Sequence, residues 1–203
     1  MIAIIDYGVG NLFSLSSSLK AIGAETVVTG NSEIIKQADK LILPGVGAFG
    51  DAAKKLKKNG LDTLIKEQAL SGKPLLGICL GMQLLFDKSY EYGEHSGLGL
   101  ISGEVVAMQG RLPENLKIPH IGWNALEFKQ SSPLFKYINE NDCVYFVHSF
   151  YAENCESSLI AVTEYGKPIT AAVQNGNIYG CQFHPEKSGK VGLNILKAFC
   201  ETE

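Results

Sequence analysis

Gly77-Ile78-Cys79-Leu80-Gly81 is the stretch that decides the fold and the chemistry of this chain. It follows the apolar run Pro74–Leu76 and opens a second apolar run, so the pattern predicts a strand, a tight turn and a helix over Leu80–Phe86. A nucleophile between two glycines at a strand-to-helix turn is the layout of a nucleophile elbow, here with cysteine in the place of serine. We expect glycine on both sides because larger side chains would collide with the backbone of the turn.

A reactive role and a structural role are both open to Cys79 at this point. The N-terminus of the helix that follows it would favour the thiolate over the thiol. Cysteine is also among the most buried residue types, so Cys79 could simply fill a core strand.

Composition narrows the class of protein. A chain of 203 residues with 45% hydrophobic residues and 22 glycines predicts one α/β domain over residues 1–203. A net charge of −3, with the basic residues dispersed, argues against nucleic acid as a partner. No apolar run approaches the roughly 18 residues that cross a bilayer, and the start of the chain predicts a strand rather than a signal peptide. The five cysteines form no CxxC pair, which favours the reducing cytoplasm over a disulfide framework or a zinc site.

Strand and helix signals alternate in the first half of the chain, which predicts parallel strands with helices on both faces. The predicted strands are Ile2–Ile5, Thr26–Val28, Lys40–Leu43 and Pro74–Ile78, and the other predicted helices are Leu12–Ile22, Asp51–Lys58 and Leu61–Leu70. The second half predicts mostly strands, at Ile101–Met108, Ala125–Phe128, Cys143–Tyr151, Leu159–Glu164, Ile169–Gln174 and Ile178–Phe183. The expected fold class is therefore α/β, with an open, mixed, mainly parallel sheet flanked by helices and extra antiparallel strands in the C-terminal half.

Two local signals refine the C-terminal part of this expectation. Asn175-Gly176 predicts a type I′ hairpin turn, because both residue types tolerate positive φ angles. Ser188 predicts the N-cap of a final helix.

A cysteine nucleophile needs a base and a group that orients the base. Of the histidines at 95, 120, 148 and 184, His184 is the best candidate, in Phe183-His184-Pro185-Glu186. Side chains alternate along an extended segment, so His184 and Glu186 would point to the same side at the end of a strand. The alternative is a loop histidine with a solvated glutamate nearby.

Donors for an oxyanion are expected on both sides of Cys79. One is the backbone N–H of Leu80, and a second would come from the glycine-rich turn that contains Gly47. The same turn, Gly45–Gly50, also matches the G-x-G-x-x-G pattern of dinucleotide sites, with Glu67 near the place of a ribose-binding acid. That pattern normally occupies the first strand-to-helix turn, which here lacks the third glycine.

Three segments together resemble the class I, triad-type glutamine amidotransferases: Pro44–Gly47, Gly77–Gln83 and His184–Glu186. Three others make the chain most similar, within that family, to the glutaminase subunits of imidazole glycerol phosphate synthase, from histidine biosynthesis. These are Asp6–Asn11, Ile118–Asn124 and Tyr145–Tyr151. The resemblance implies the flavodoxin-like sheet of that family.

The resemblance also implies roles for individual residues. Cys79 would attack the side-chain amide of glutamine, His184 would move the proton to the departing ammonia, and Glu186 would hold the imidazole. The N–H groups of Gly47 and Leu80 would bind the oxyanion. The residues implied to bind the substrate are Gln83, Glu91, Ser149 and Phe150.

The resemblance implies a heterodimer in which ammonia passes to a (β/α)₈-barrel cyclase subunit, which would form imidazole glycerol phosphate and an aminoimidazole carboxamide ribotide. No metal and no cofactor are expected. The residues implied to contact the cyclase are Asn11, Trp123, Tyr145 and Lys187. Trp123 and Tyr145 could equally be core aromatics, and Lys187 a surface charge.

Three other functions stay open on the sequence alone. The same glutaminase chemistry could serve a paralogous synthase with a different ammonia acceptor. A regulatory domain could bind a nucleotide at Gly45–Gly50, and a small peptidase or deglycase-like hydrolase could use Cys79 as its nucleophile.

Overall fold

The computed structural model describes residues 1–202. The six α-helices in this range are α1 (Leu12–Ala21), α2 (Ser32–Gln37), α3 (Phe49–Lys58), α4 (Leu61–Leu70), α5 (Leu80–Gln83) and α6 (Gly189–Cys200). The strands of the first half are β1 (Ile2–Ile5), β2 (Thr26–Thr29), β3 (Lys40–Gly45), β4 (Leu75–Cys79), β5 (Phe86–Ser89) and β6 (His95–Ser96). Those of the second half are β7 (Ile101–Ala107), β8 (His120–Ala125), β9 (Glu127–Phe128), β10 (Cys143–His148), β11 (Phe150–Glu153), β12 (Leu159–Glu164), β13 (Pro168–Asn175) and β14 (Ile178–Cys181).

One eight-stranded sheet organises the fold, in the order β2-β1-β3-β4-β14-β13-β12-β9. The first five strands of that order are parallel and the last three join antiparallel. The predicted α/β class, with a mainly parallel sheet and antiparallel strands added late, is confirmed. Cys79 and Gly45 both lie at carboxyl ends of parallel strands, which is the edge where ligands bind in such sheets.

Both faces of the sheet are covered, because successive side chains of a strand point to opposite sides. Ile2 and Ile4 pack in one core with side chains of α1 and α6. Ala3 and Ile5 pack in the other core with side chains of α2, α3 and α4. Central strands buried on both sides explain why their sequences are continuously apolar.

The helix predicted after the nucleophile is much shorter than expected. It spans only Leu80–Gln83, and Phe86 begins β5 instead of ending the helix. Phe86 pairs with Ile101 of β7 in a second sheet of order β11-β7-β5-β6. A short apolar run such as Leu84–Phe86 has the same appearance in a buried helix and in a buried strand, so the sequence could not separate them.

The segment Cys143–Tyr151, predicted as one strand, is two strands in different sheets. β10 pairs with β8 as an antiparallel ribbon, whereas β11 joins β7 in the second sheet. The segment predicted at Ala125–Phe128 is likewise divided between the end of β8 and β9. These divisions depend on which distant strand each backbone segment meets.

Three smaller differences concern turns and caps. Helix α2 was not predicted, because it has only six residues. Its N-cap is Asn31, whose side chain accepts from the N–H groups of Glu33 and Ile34. Asn175 pairs with Ile178, so the central residues of the β13–β14 turn are Gly176 and Asn177, one position later than predicted. Only Gly176 has a positive φ, so the turn is not the predicted type I′. Ser188 stands at the N-cap of α6, but its side chain makes no cap hydrogen bond.

Among the described residues, no helix combines the length and the apolar character that crossing a membrane would require. All five cysteines are free thiols.

Candidate active site

Cys79 sits on a strained turn at the end of β4. Its φ angle is 54°, a left-handed value that costs a non-glycine residue free energy. A Cβ on Gly77 would lie 2.7 Å from the carbonyl oxygen of Gly81, and a Cβ on Gly81 would overlap the carbonyl oxygen of Leu43. Both flanking positions therefore require glycine, as the nucleophile-elbow interpretation predicts.

His184 and Glu186 form the expected pair just beyond the end of β14. The Nδ1 atom of His184 lies 2.8 Å from Oε1 of Glu186, and the two side chains are 3% and 4% exposed. The His184 backbone is held from both sides, since its N–H donates to the Tyr145 carbonyl and its own carbonyl accepts from Ser188 Oγ. Ser188 Oγ also accepts from the Tyr145 N–H. The Ser188 side chain thus positions the histidine instead of capping α6.

The protonation of His184 reflects these neighbours. Burial by itself lowers the pKa of the imidazole, but the interactions with the nearby Cys79 and with Glu186 outweigh it and raise the pKa to about 9. The imidazolium form is therefore favoured at neutral pH, beside the sulfur of Cys79. A protonated imidazole next to a cysteine is equipped to deliver a proton to a leaving group.

Cys79 and His184 face one cavity of about 370 Å³, a size typical of small-molecule sites. The expected site residues that line it are Gly47, Leu80, Gln83, Glu91, Ser149, Phe150 and Lys187. The cavity is also lined by residues that were not expected: Val46, Pro119, Val147 and His148. Glu186 stands behind His184 and does not line the cavity.

The two residues expected to supply oxyanion donors, Gly47 and Leu80, line the same cavity as Cys79. Gly45 is paired in register with Cys79, so the turn that carries Gly47 runs beside the sulfur. Gly47 has a φ of 93°, which only glycine adopts readily. Leu80 begins α5, where helical N–H groups lack intrahelical partners. Because α5 is one turn long, these local N–H groups matter more than a helix dipole.

A buried tyrosine holds the start of the glycine-rich turn that contains Gly47. Tyr7 donates its hydroxyl to the Pro44 carbonyl at 2.8 Å. Burial, followed by the nearby Cys79, raises the pKa of Tyr7, so the hydroxyl stays a donor at any physiological pH.

Among the expected substrate-binding residues, Glu91 and Gln83 present side chains to the cavity. Glu91 Oε2 accepts from the Phe49 N–H at 2.7 Å, and burial raises the pKa of this carboxyl. Gln83 Nε2 donates to the Phe150 carbonyl, which also lies 2.9 Å from Nδ1 of His148. The Ser149 carbonyl accepts from the Met108 N–H. Both carbonyls therefore already accept a hydrogen bond within the protein. Any backbone contact of Ser149 and Phe150 with a substrate would thus use their N–H groups.

Three of the four expected partner-contact residues are neighbours, and one of them, Lys187, lines the cavity. Trp123 lies opposite Tyr145 in the β8–β10 ribbon and meets it edge to face at 6.0 Å. The Lys187 ammonium lies 6.0 Å from the Tyr145 ring. Trp123 is 55% exposed, so it is not a core aromatic. Asn11, at the N-cap of α1, lines a separate small pocket with His184 and Glu186.

Two groups of buried polar residues were missed by sequence reasoning. His120 and His148 face each other in the β8–β10 ribbon, with Nδ1 and Nε2 3.1 Å apart. Gln182 is fully buried, and its Nε2 lies 3.8 Å from Cys79 Sγ. Side chains two positions apart in an extended segment point to the same side, so the alternation that pairs His184 with Glu186 also includes Gln182. That pattern could have predicted Gln182 near the site.

The structure weakens the dinucleotide interpretation. Glu67 lies exposed in the middle of α4, not at the end of a strand where a ribose-binding acid stands. Over residues 1–202, no group of three or more His, Cys, Asp or Glu side chains is placed to hold a metal ion.

Comparison with known proteins agrees with this geometry. The family model for glutamine amidotransferase class-I matches residues 3–202. The imidazole glycerol phosphate synthase subunit HisH of Lactococcus lactis subsp. lactis is 52% identical over 201 residues, which are 98% of each chain. HisH of Aquifex aeolicus is 50% identical over 198 residues, covering 97% of this chain and 94% of the relative.

Solved structures support the fold. The structure of PurLQS from Thermotoga maritima matches with a TM-score of 0.76 at 19% identity, covering 98% of this chain and 96% of the other. A crystal structure of a glutamine amidotransferase matches with the same TM-score at 18% identity, covering 98% and 100%. This chain belongs to the class I glutamine amidotransferase family and, within it, to the imidazole glycerol phosphate synthase subunits HisH.

Proposed function

We propose that this chain hydrolyses L-glutamine to glutamate and ammonia and supplies the ammonia to a synthase subunit. The observation that carries the proposal is the meeting of Cys79 and His184 at one cavity, although 105 positions separate them in the sequence. Relatives about half identical over nearly the whole chain make imidazole glycerol phosphate synthesis the favoured use of the ammonia.

The arrangement supports a thioester mechanism. The Cys79 sulfur attacks the side-chain amide carbon of glutamine, and the N–H groups of Gly47 and Leu80 bind the oxygen that becomes negative. His184 gives its proton to the amide nitrogen as the C–N bond breaks, so ammonia leaves and a thioester remains. Water, deprotonated by His184, then attacks the thioester and releases glutamate and the thiolate. Glu186 holds the imidazole throughout.

The polar groups that line the cavity select the substrate. The Glu91 carboxylate suits the α-ammonium group of glutamine, because opposite charges attract strongly in a partly buried site. Gln83 stands one helical turn beyond the nucleophile and offers amide hydrogen bonding to the substrate. Ser149 and Phe150 border the bound substrate through their backbone.

The partner in this proposal is a (β/α)₈-barrel cyclase that covers the cavity as the second subunit of a heterodimer. Its products would be imidazole glycerol phosphate and an aminoimidazole carboxamide ribotide. Trp123 and Tyr145 lie in the β8–β10 ribbon, Lys187 lines the cavity and Asn11 follows the carboxyl end of β1. A subunit docked over these residues would receive ammonia without its release into bulk water. Five free thiols suit the reducing cytoplasm.

The decisive experiment is the Cys79→Ala variant assayed with the cyclase subunit. Glutamine-dependent synthesis should disappear, while added ammonium should sustain the cyclase reaction as in the wild type. Labelling with 6-diazo-5-oxonorleucine should modify Cys79 in the wild type. Retained glutamine turnover in the variant would rule out the mechanism, and failure to label in the complex would favour another hydrolase activity. Ammonia transfer to a different synthase would show as synthesis only with that synthase.

A further inference from the structure

A chain of buried amide groups leads from the Phe150 backbone to the nucleophile. Gln83 Nε2 donates to the Phe150 carbonyl at 3.1 Å and to Gln182 Oε1 at 2.9 Å. Gln182 Nε2 then lies 3.8 Å from Cys79 Sγ, within the longer hydrogen-bond range of sulfur. Cys79 and Gln83 belong to one segment and Gln182 lies 99 positions beyond Gln83, so the three side chains meet only in the folded protein.

The direction of each amide follows from the chemistry of its partners. The Phe150 carbonyl can only accept, so the NH₂ end of Gln83 must face it. The second N–H of that NH₂ group needs an acceptor, so the oxygen end of Gln182 must face Gln83. The NH₂ end of Gln182 is thereby directed at Cys79.

The strand register places Gln182 beside the nucleophile for a simple reason. β14 pairs with β4 in parallel, with Cys181 opposite Ile78. The residues that follow this pair are therefore Gln182, directly after β14, and Cys79, the last residue of β4. The Gln182 backbone is fixed as well, since its N–H donates to the Ala171 carbonyl at 2.9 Å.

We propose that Gln182 is a further catalytic residue of the glutaminase reaction, one that hydrogen-bonds the Cys79 sulfur and sets the orientation of Gln83. This inference rests on the proposed function. A donor directed at the sulfur stabilises the thiolate relative to the thiol. Because both N–H groups of Gln83 are occupied, its oxygen is left as the acceptor for an N–H group of the substrate.

The first test measures alkylation of Cys79 by iodoacetamide from pH 5 to 10, followed on the Cys79 peptide by mass spectrometry. Gln182→Met keeps a similar length but has no donor. Its pH midpoint should rise by about one unit, and the rate at pH 7 should fall roughly five- to ten-fold. The rate at high pH should equal or exceed that of the wild type, because a thiolate of higher pKa is at least as nucleophilic.

The matched control is Thr163→Val. Thr163 is fully buried and donates to the Ala125 carbonyl at 2.8 Å, away from the cavity. This control also loses one buried hydrogen bond, but its alkylation profile should stay that of the wild type.

The second test separates the two effects of Gln182 in the glutaminase complex. Gln182→Met should lower kcat about ten-fold and raise KM several-fold, because both the donor and the acceptor for Gln83 are lost. Gln182→Glu keeps the acceptor, so KM should stay within about two-fold of the wild type while the alkylation midpoint still rises. The ammonium-dependent reaction should be unchanged in both.

Each outcome bears on Gln182 separately from the proposed function. A Gln182→Met chain with a wild-type pH midpoint, KM and kcat would overturn the inference. If that variant melts well below Thr163→Val, the Gln182→Glu chain decides, since it has the same heavy-atom shape; an unchanged midpoint in it would equally overturn the inference. The alkylation test needs neither glutamine nor a partner, so failure of the glutaminase assignment would instead appear as glutamine turnover by Cys79→Ala.

Discussion

Nδ1 of His184 lies 2.8 Å from one oxygen of Glu186, and the other oxygen, Oε2, is buried without a hydrogen-bond partner among residues 1–202. The carboxylate therefore directs its hydrogen bonding at a single group, the imidazole. In a buried setting this interaction is strong, because little solvent screens it. The charge of Glu186 consequently controls both the orientation and the protonation of His184.

Glu186→Gln should lower the pKa of His184 from about 9 toward its ordinary value, because the amide removes the negative charge and the burial penalty remains. Glutamine hydrolysis in the complex should fall about a hundred-fold or more, the usual contribution of a positioned acid–base group. NMR titration of the imidazole in the free chain measures the pKa directly. An unchanged His184 titration would show that Cys79 alone sets it.

The raised pKa of His184 also makes the free energy of unfolding depend on pH. His184 binds its proton more tightly in the folded chain than in the unfolded one, so its contribution is full below about pH 6.5 and is lost as the pH rises through about 9. The decline in unfolding free energy over that interval should be smaller in Glu186→Gln. Urea unfolding at a series of pH values tests this.

His148 should make the folded chain less stable in acid. Burial lowers the pKa of His148 to about 3 and also lowers the pKa of its neighbour His120. The unfolded chain then binds more protons than the folded one below about pH 6.5, so stability should fall as the pH drops from 6.5 toward 3. His148→Gln, which can still donate to the Phe150 carbonyl, should reduce this fall in melting temperature. An identical acid profile in the variant would assign the sensitivity to other groups.

Gly81→Ala should destabilise the fold by roughly 3 kcal/mol or more, because its Cβ would collide with the backbone of β3 and the backbone cannot yield cheaply. Gly23→Ala is the matched control: Gly23 also resists substitution, through a φ of 81°, but a Cβ there meets nothing within 4 Å. That change should cost about 1 kcal/mol. Denaturant unfolding compares the two, and equal losses would contradict the steric account of the turn.

Trp123→Ala should weaken binding of the cyclase subunit by about thirty-fold or more, the effect of losing a central aromatic anchor. The exposed side chain makes few core contacts, so the melting temperature of the free chain should change little. Leu70→Ala provides the control, since Leu70 is also an exposed large apolar residue but lies at the end of α4, away from the β8–β10 ribbon. Titration calorimetry with the cyclase subunit measures both. Wild-type affinity of the Trp123→Ala chain would show that the cyclase subunit binds to a different surface.

Much of the site could be predicted because its signals are local. The glycines around Cys79 follow from the geometry of one turn, and His184 with Glu186 follows from alternation along one extended segment. The parallel sheet could be predicted for a similar reason, since buried central strands have continuous apolar sequences. The roles of Gly47, Glu91 and the interface residues came from family resemblance and remain predictions to be tested.

The sequence by itself determined the nucleophile turn, the His184–Glu186 pair and the positions of the main strands along the chain, because each depends on residues that are neighbours in the chain. Only the tertiary structure decided that Phe86 is a strand residue, that Cys143–Tyr151 divides between two sheets, and that Gln182 reaches the sulfur of Cys79. These outcomes depend on which distant backbone segments pair with one another. Pairing is a property of the whole core, and short apolar runs carry no information about their partners.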